Sequence, residues 1–128
     1  MKLLLDTHSF IWFVEGNPQL SLNSRELIAD PENQVFLSIV SIWEMAIKDG
    51  LGKLDLRQPL NELVATQISL NDISVLPLTV EHALYVRDLP LHHRDPFDRI
   101  IIGQGIIEGL PVISIDEVFD RYGISRIW

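Results

Sequence analysis

Short apolar runs alternate with helical patterns along the chain. Four runs are almost wholly apolar, which is typical of strands buried on both faces of a sheet. They cover residues 3–5, 35–40, 73–76 and 112–115, and a further brief strand at 124–128 would close the sheet. Helical patterns, some opened by Ser, Thr or Asp caps, cover residues 9–15, 21–29, 41–49, 60–70, 80–88 and 96–108. This alternation predicts an α/β fold with a parallel β-sheet sandwiched between α-helices.

The whole chain is expected to form a single domain. It has 128 residues, no internal repeat and no Gly/Ser-rich linker, and its apolar residues continue to Trp128. A chain of this length buries roughly two-thirds of the surface that its unfolded form exposes. We therefore expect one compact domain over residues 1–128.

Cysteine usage and the first residues bear on the location of the protein. The chain has no cysteine, so a metal site has to use oxygen or imidazole ligands rather than thiolates. The first apolar run is interrupted by Asp6 after three residues, which is too short for a signal peptide or a membrane span. These features favour a cytoplasmic protein without a membrane segment.

The charge balance is acidic. The formal net charge is -8 and the sequence pI is about 4.8, which argues against a broad basic face that grips nucleic acid. The objection weakens if several acidic side chains converge on bound cations, because such a cluster is locally less negative than the sequence count implies.

Two acidic residues lie at predicted strand ends. Asp6 directly follows the first strand, and Asp116 directly follows the strand at 112–115. Ligands of such sheets bind beyond the carboxyl ends of the strands, so both carboxylates are expected at one edge. The alternative for each residue is a helix cap or a partner of the helix dipole.

Glu44 stands in a helix that is apolar on nearly every side, and such a helix is expected to be buried. A buried carboxylate needs a salt bridge, a proton or a metal, because an unpaired buried charge costs several kcal/mol. Lys48 is four residues further on and is the alternative partner.

Asp95 and Asp98 belong to one motif but have different interpretations. Asp95 precedes Pro96, which is the expected pairing of an N-cap with the first helical residue. Asp98 opens a second, nearly all-apolar helix. It is either a functional carboxylate or a complement to the helix dipole.

The four ordered motifs together resemble the PIN-domain nucleases, especially VapC-like toxins of toxin-antitoxin modules. The motifs are LLLDTH at residues 3–8, SIWEMAIK at 41–48, RDPFDRIII at 94–102 and ISID at 113–116. The resemblance spans the chain. It implies a PIN-like fold, divalent-metal-dependent RNA cleavage, homodimerisation and inhibition by a cognate antitoxin.

The resemblance also implies the site residues. The acidic positions of the family match Asp6, Glu44, Asp98 and Asp116, which are then both catalytic and metal-binding. Asp95 lies in the same motif without clearly matching a ligand, and Ser114 lies close to the last acid as a supporting candidate. Carboxylate oxygens suit Mg²⁺ or Mn²⁺, and a metal-bound water would attack the phosphorus of the RNA substrate.

Other side chains are candidates for contacts with RNA or with a partner protein. His8, His92 and His93 lack a zinc-binding pattern and are expected at the surface or on the substrate side. His92, His93, Arg94 and Arg99 either contact RNA phosphates or form a solvated basic turn. Trp12 and Phe13 lie in an aromatic segment just after Asp6, and they are candidates for contact with an antitoxin or a second copy of the chain.

Two alternatives remain. One is a PIN-like module that has lost activity and only binds a partner, although all four acids are retained. The other is a Mg²⁺-binding receiver domain of a signalling protein. A receiver should carry adjacent acids after its first strand, whereas this chain has only Asp6 there.

Overall fold

A computed structural model describes all residues, 1–128, and contains a five-stranded, fully parallel sheet in the order β3-β2-β1-β4-β5. The strands are β1 (Lys2–Leu5), β2 (Gln34–Ser38), β3 (Ser74–Leu76), β4 (Val112–Ile113) and β5 (Arg126–Ile127). The chain proceeds from β1 to β2 and β3 on one side and then returns to β4 and β5 on the other. The strand order therefore reverses between β1 and β4.

Helices cover both faces of this sheet. The α-helices are α1 (Thr7–Val14), α2 (Leu22–Ala29), α3 (Ile39–Gly50), α4 (Leu60–Leu70), α5 (Val80–Tyr85) and α6 (Pro96–Glu108). Short 3₁₀ helices follow at Val86–Asp88 and Glu117–Tyr122. No helix has the length and apolar character needed to span a bilayer.

The central strand separates two apolar clusters. Leu3 and Leu5 of β1 belong to one cluster and Leu4 to the other, because successive side chains of a strand point to opposite faces. The first cluster includes Phe10 of α1, and the second includes Ile101 of α6. The predicted α/β sandwich with a parallel sheet is confirmed.

Several element boundaries differ from the predicted ones for local reasons. The strand predicted at 35–40 ends at Ser38, whose hydroxyl accepts the Val40 backbone N–H at 3.1 Å and caps α3. The helix pattern at 80–88 is divided into α5 and a 3₁₀ turn. A 3₁₀ helix follows Asp116, whose carboxylate accepts the Val118 backbone N–H at 3.0 Å.

The expectation that α3 is buried on every side is wrong. Ile39, Trp43 and Ile47 are spaced four residues apart and are 41%, 55% and 38% exposed, respectively. Glu44 and Met45 point inward instead. The helix therefore presents an exposed apolar stripe, called here the α3 stripe (Ile39, Trp43 and Ile47).

Candidate functional site

Asp6 and Asp116 lie at the carboxyl edge of β1 and β4, where the strand order reverses. Asp6 follows β1, and its backbone N–H donates to the Ile113 carbonyl at 3.2 Å. Its carboxylate also caps α1 by accepting the Ser9 N–H at 2.9 Å. Asp116 likewise caps the 3₁₀ helix at Glu117–Tyr122. Both residues are therefore helix caps, and both also lie at the same edge of the sheet.

The N-terminus of α6 brings Asp98 to the same edge. Asp95 is the N-cap of this helix, and its Oδ1 accepts the backbone N–H groups of Phe97 and Asp98 at 2.8 and 3.3 Å. The predicted cap role of Asp95 is thus confirmed. Asp98 reaches a cleft of about 370 Å³ that is lined by Asp6, His8, Trp12, Asp98, Ile115 and Asp116.

Glu44 lies beside this cleft and is paired. It is 2% exposed, and its Oε2 lies 2.5 Å from Nζ of Lys48. Its Oε1 accepts the Thr7 hydroxyl at 2.7 Å. The structure therefore pairs Glu44 with Lys48, the alternative partner that the sequence indicated. The other three predicted acids, Asp6, Asp98 and Asp116, line the cleft itself.

Ser114 connects the two strand-end acids. Its hydroxyl accepts the Asp116 N–H at 3.1 Å, and its side chain also hydrogen-bonds to the carboxylate of Asp6. Ser114 is fully buried. These bonds fit a supporting role in which Ser114 orients the carboxylate of Asp6 and fixes the backbone at Asp116.

His93 contacts the acidic cluster directly. Its Nε2 lies 2.7 Å from Oδ2 of Asp116 and 3.1 Å from Oδ2 of Asp98. The sequence placed His93 at the surface or on the substrate side, because no local pattern links it to an acid 23 residues away. The only local indication that His93 contacts the acidic cluster was its position two residues before Asp95.

The other basic candidates have different surroundings. Arg99 donates to the backbone carbonyls of Val86, Leu89 and Pro90 at 3.0 to 3.2 Å. Its guanidinium therefore holds the preceding loop, and its proposed RNA contact loses support. His92 and Arg94 are exposed, and the ring of His92 packs edge-on against Tyr122.

Burial and crowding disfavour the ionised form of two cleft carboxyls. Burial raises the pKa of Asp6, in spite of hydrogen bonds from Ser114 and Ser9. Burial also raises the pKa of Asp98 to about 8, and repulsion from the other acids, Asp95 first among them, adds to it. Such a cluster needs protons or cations, and hard carboxylate oxygens fit Mg²⁺ or Mn²⁺.

The raised pKa of Asp98 predicts how stability depends on pH without metal. The folded state binds this proton more tightly than the unfolded chain, in which the pKa is about 3.8. The contribution is therefore full below about pH 3.8 and is lost as the pH rises through about 8. Urea unfolding in EDTA should give a lower free energy at about pH 9 than at about pH 6, and Asp98→Asn should reduce that difference. An equal difference in the two proteins would show that other groups cause it.

Comparison with known proteins identifies the fold. The family model described as PIN domain matches residues 3–125. Comparison with curated proteins finds no significant match.

Three solved structures illustrate the likeness. The chain is similar to VapBC2 from Rickettsia felis bound to a promoter DNA fragment, with TM-score 0.74, 16% identity and coverage of 99% of this chain and 98% of that one. It is also similar to DNA-bound VapBC from Salmonella typhimurium, with TM-score 0.68, 18% identity and coverage of 99% and 97%. A third is VapBC-5 from Mycobacterium tuberculosis, of the VapBC family of toxin-antitoxin systems, with TM-score 0.59, 20% identity and coverage of 98% and 97%. At these identities the likeness shows a shared fold.

Proposed function

Because the chain belongs to the PIN-domain family, we propose that it is a divalent-metal-dependent endoribonuclease and the toxin of a toxin-antitoxin module. The observation that carries the proposal is the convergence of Asp6, Asp98 and Asp116 on one cleft at the strand-order reversal. The raised pKa of Asp98 supports it, because burial and the neighbouring acids together disfavour the ionised carboxylate unless a cation compensates it.

Each residue has a stated part in the proposed reaction. The three cleft carboxylates would hold Mg²⁺ or Mn²⁺, with Glu44 as a further ligand if its pairing with Lys48 opens. A bound metal ion would lower the pKa of a water molecule and would stabilise the charge that develops on the phosphate. Ser114 and Ser9 hold Asp6 in place, while Asp95 orients α6 so that Asp98 faces the cleft.

The test is cleavage of a single-stranded RNA by the purified chain with Mg²⁺, with Mn²⁺ and with EDTA. Cleavage that requires either metal supports the nuclease. Metal binding without cleavage of any RNA favours the inactive PIN-like module, which is the second candidate. The receiver alternative is excluded by the family match and by the position of Asp98 on a helix rather than at a strand end.

We also propose that residues 1–128 act as one PIN-like domain. Its two apolar clusters lie on opposite faces of the same strand, β1. Both clusters include leucines of β1. The two sides of the sheet are therefore expected to unfold together.

Partners follow from the solved relatives. One of them belongs to the VapBC family of toxin-antitoxin systems, and two others are VapBC structures bound to DNA. For this chain we propose a cognate antitoxin as inhibitor and RNA as substrate.

The α3 stripe supports a homodimer. Its three apolar side chains are exposed, and Trp43 packs edge-on against Phe97 with ring centroids 5.2 Å apart. A contiguous exposed apolar patch of this kind is typical of an interface. Light scattering at micromolar concentration should show a dimer for the wild type and a monomer for Trp43→Lys, with Leu22→Lys as the exposed control on α2. A monomeric wild type, or a Trp43→Lys protein that remains dimeric, would exclude this surface.

A further inference from the structure

The ring of His93 is fixed at both nitrogen atoms. Its Nδ1 accepts the backbone N–H of Asp95 at 3.1 Å, and its Nε2 faces Asp116 and Asp98 at 2.7 and 3.1 Å. The ring also packs edge-on against Phe119, with centroids 5.8 Å apart. The imidazole therefore links the N-cap of α6 to the end of β4.

These bonds determine which ring nitrogen carries the proton. The Nδ1 lone pair is occupied by a backbone N–H, which can only donate. In the neutral ring the proton must then lie on Nε2, which can donate it to Oδ2 of Asp116 at 2.7 Å. In this arrangement Nε2 has no lone pair to offer to a cation.

We propose that His93 is a positioning residue that orients Asp116 and Asp98 for metal binding and does not itself coordinate the metal. The inference rests on the proposed function, because it concerns the same cleft. Asp116 is then held at both oxygens, with Oδ1 on the Val118 N–H at 3.0 Å and Oδ2 on His93. Carboxylate ligands that are themselves hydrogen-bonded in this way lose less freedom when they bind a cation.

The competing arrangement is an imidazole ligand. One donor atom each from His93, Asp98 and Asp116 lies within 4.8 Å of the other two, which is close enough to share an ion. That arrangement requires Nε2 to lose its proton and Nδ1 to gain one, which breaks the bond from the Asp95 N–H. An imidazole ligand would also make the site prefer transition metals to Mg²⁺.

Two measurements on the purified chain separate these arrangements. The first is the affinity for Mn²⁺ by calorimetry, and the second is nitrogen hyperfine coupling in the spin-echo spectrum of bound Mn²⁺. The variants are His93→Ala, which removes the donor, and His93→Gln, whose amide N–H can replace Nε2–H. His92→Gln is the matched control, because its ring packs on Tyr122 instead.

We expect His93→Ala to weaken Mn²⁺ binding roughly 10- to 100-fold, the usual effect of removing an outer-shell partner. His93→Gln should recover most of this affinity, and His92→Gln should bind like the wild type. No imidazole coupling is expected in the wild type. Imidazole coupling that disappears in His93→Gln, or full affinity in His93→Ala, would overturn the inference while leaving the nuclease intact. A wild type that binds no Mn²⁺ would overturn the proposed function as well.

Discussion

Asp98→Asn is expected to abolish metal-dependent RNA cleavage while leaving the fold intact. The substitution keeps nearly the same volume but removes a charge from the cleft that Asp6 and Asp116 share. Loss of a direct ligand should exceed the roughly 100-fold effect of losing an outer-shell partner. Asp6→Asn should act similarly, because Asn still caps α1 at Ser9 but coordinates a cation weakly. Cleavage rates with saturating Mg²⁺ or Mn²⁺ measure the loss, and wild-type rates from either variant would refute the carboxylate site.

Asp98→Asn also shows whether a loss of activity comes from the site or from unfolding of the protein. Burial, with repulsion from neighbouring acids, raises the pKa of the half-buried Asp98 to about 8, so its charge opposes folding in the metal-free protein. Neutralising it should raise the melting temperature in EDTA above about pH 8. Reduced activity combined with equal or higher thermal stability would therefore locate the defect in the site.

Asp95→Asn is the matched control in the same motif. Its carboxylate caps α6 through two backbone N–H groups, and Asn caps a helix about as well as Asp. We expect this variant to retain most of the cleavage activity. A loss as deep as that of Asp98→Asn would assign Asp95 to the metal instead.

The sheet edge shows what local sequence determines in this fold. Asp6 and Asp116 were predictable because parallel strands end at one edge and ligands bind at the order reversal. The cap role of Asp95 followed from the adjacent proline alone. Such features depend on neighbouring residues or on a rule of the fold class.

The exposed stripe of α3 and the environment of His93 were not predictable in this way. Periodicity shows that a helix is apolar but not which of its sides the neighbouring elements cover, so Trp43 was expected to be buried. His93 meets Asp116 only because the loop before α6 crosses the end of β4. Contacts between residues 23 positions apart depend on tertiary packing and leave no local pattern.

The second large effect is expected at Trp12, where an antitoxin segment would close the cleft. Trp12 lines this acidic cleft and also a neighbouring groove of about 340 Å³ that includes Ile11, Met45 and Leu54. An apolar segment would fill the groove, and an Arg or Lys on it would pair with the carboxylates. Phe13 was the other candidate for the antitoxin contact, but it lines neither the cleft nor the groove. Its ring instead lies under the guanidinium of Arg25, with Cζ of Arg25 6.0 Å from the ring centroid.

The experiment is a titration with the C-terminal peptide of the cognate antitoxin. Phe13 serves as the control for Trp12, because only Trp12 lines the cleft and the groove. Trp12→Ala should weaken peptide binding about 30-fold, which corresponds to an interface hot spot of about 2 kcal/mol. Phe13→Ala should bind nearly like the wild type, with melting temperatures confirming that both variants are folded. Because the basic side chain of the peptide would occupy the metal position, Mn²⁺ should compete with the peptide, and the saturated complex should not cleave RNA. Binding that is indifferent both to Trp12 and to Mn²⁺ would place the inhibitory contact on another surface, and the α3 stripe would then be the next to test because its apolar side chains are already exposed.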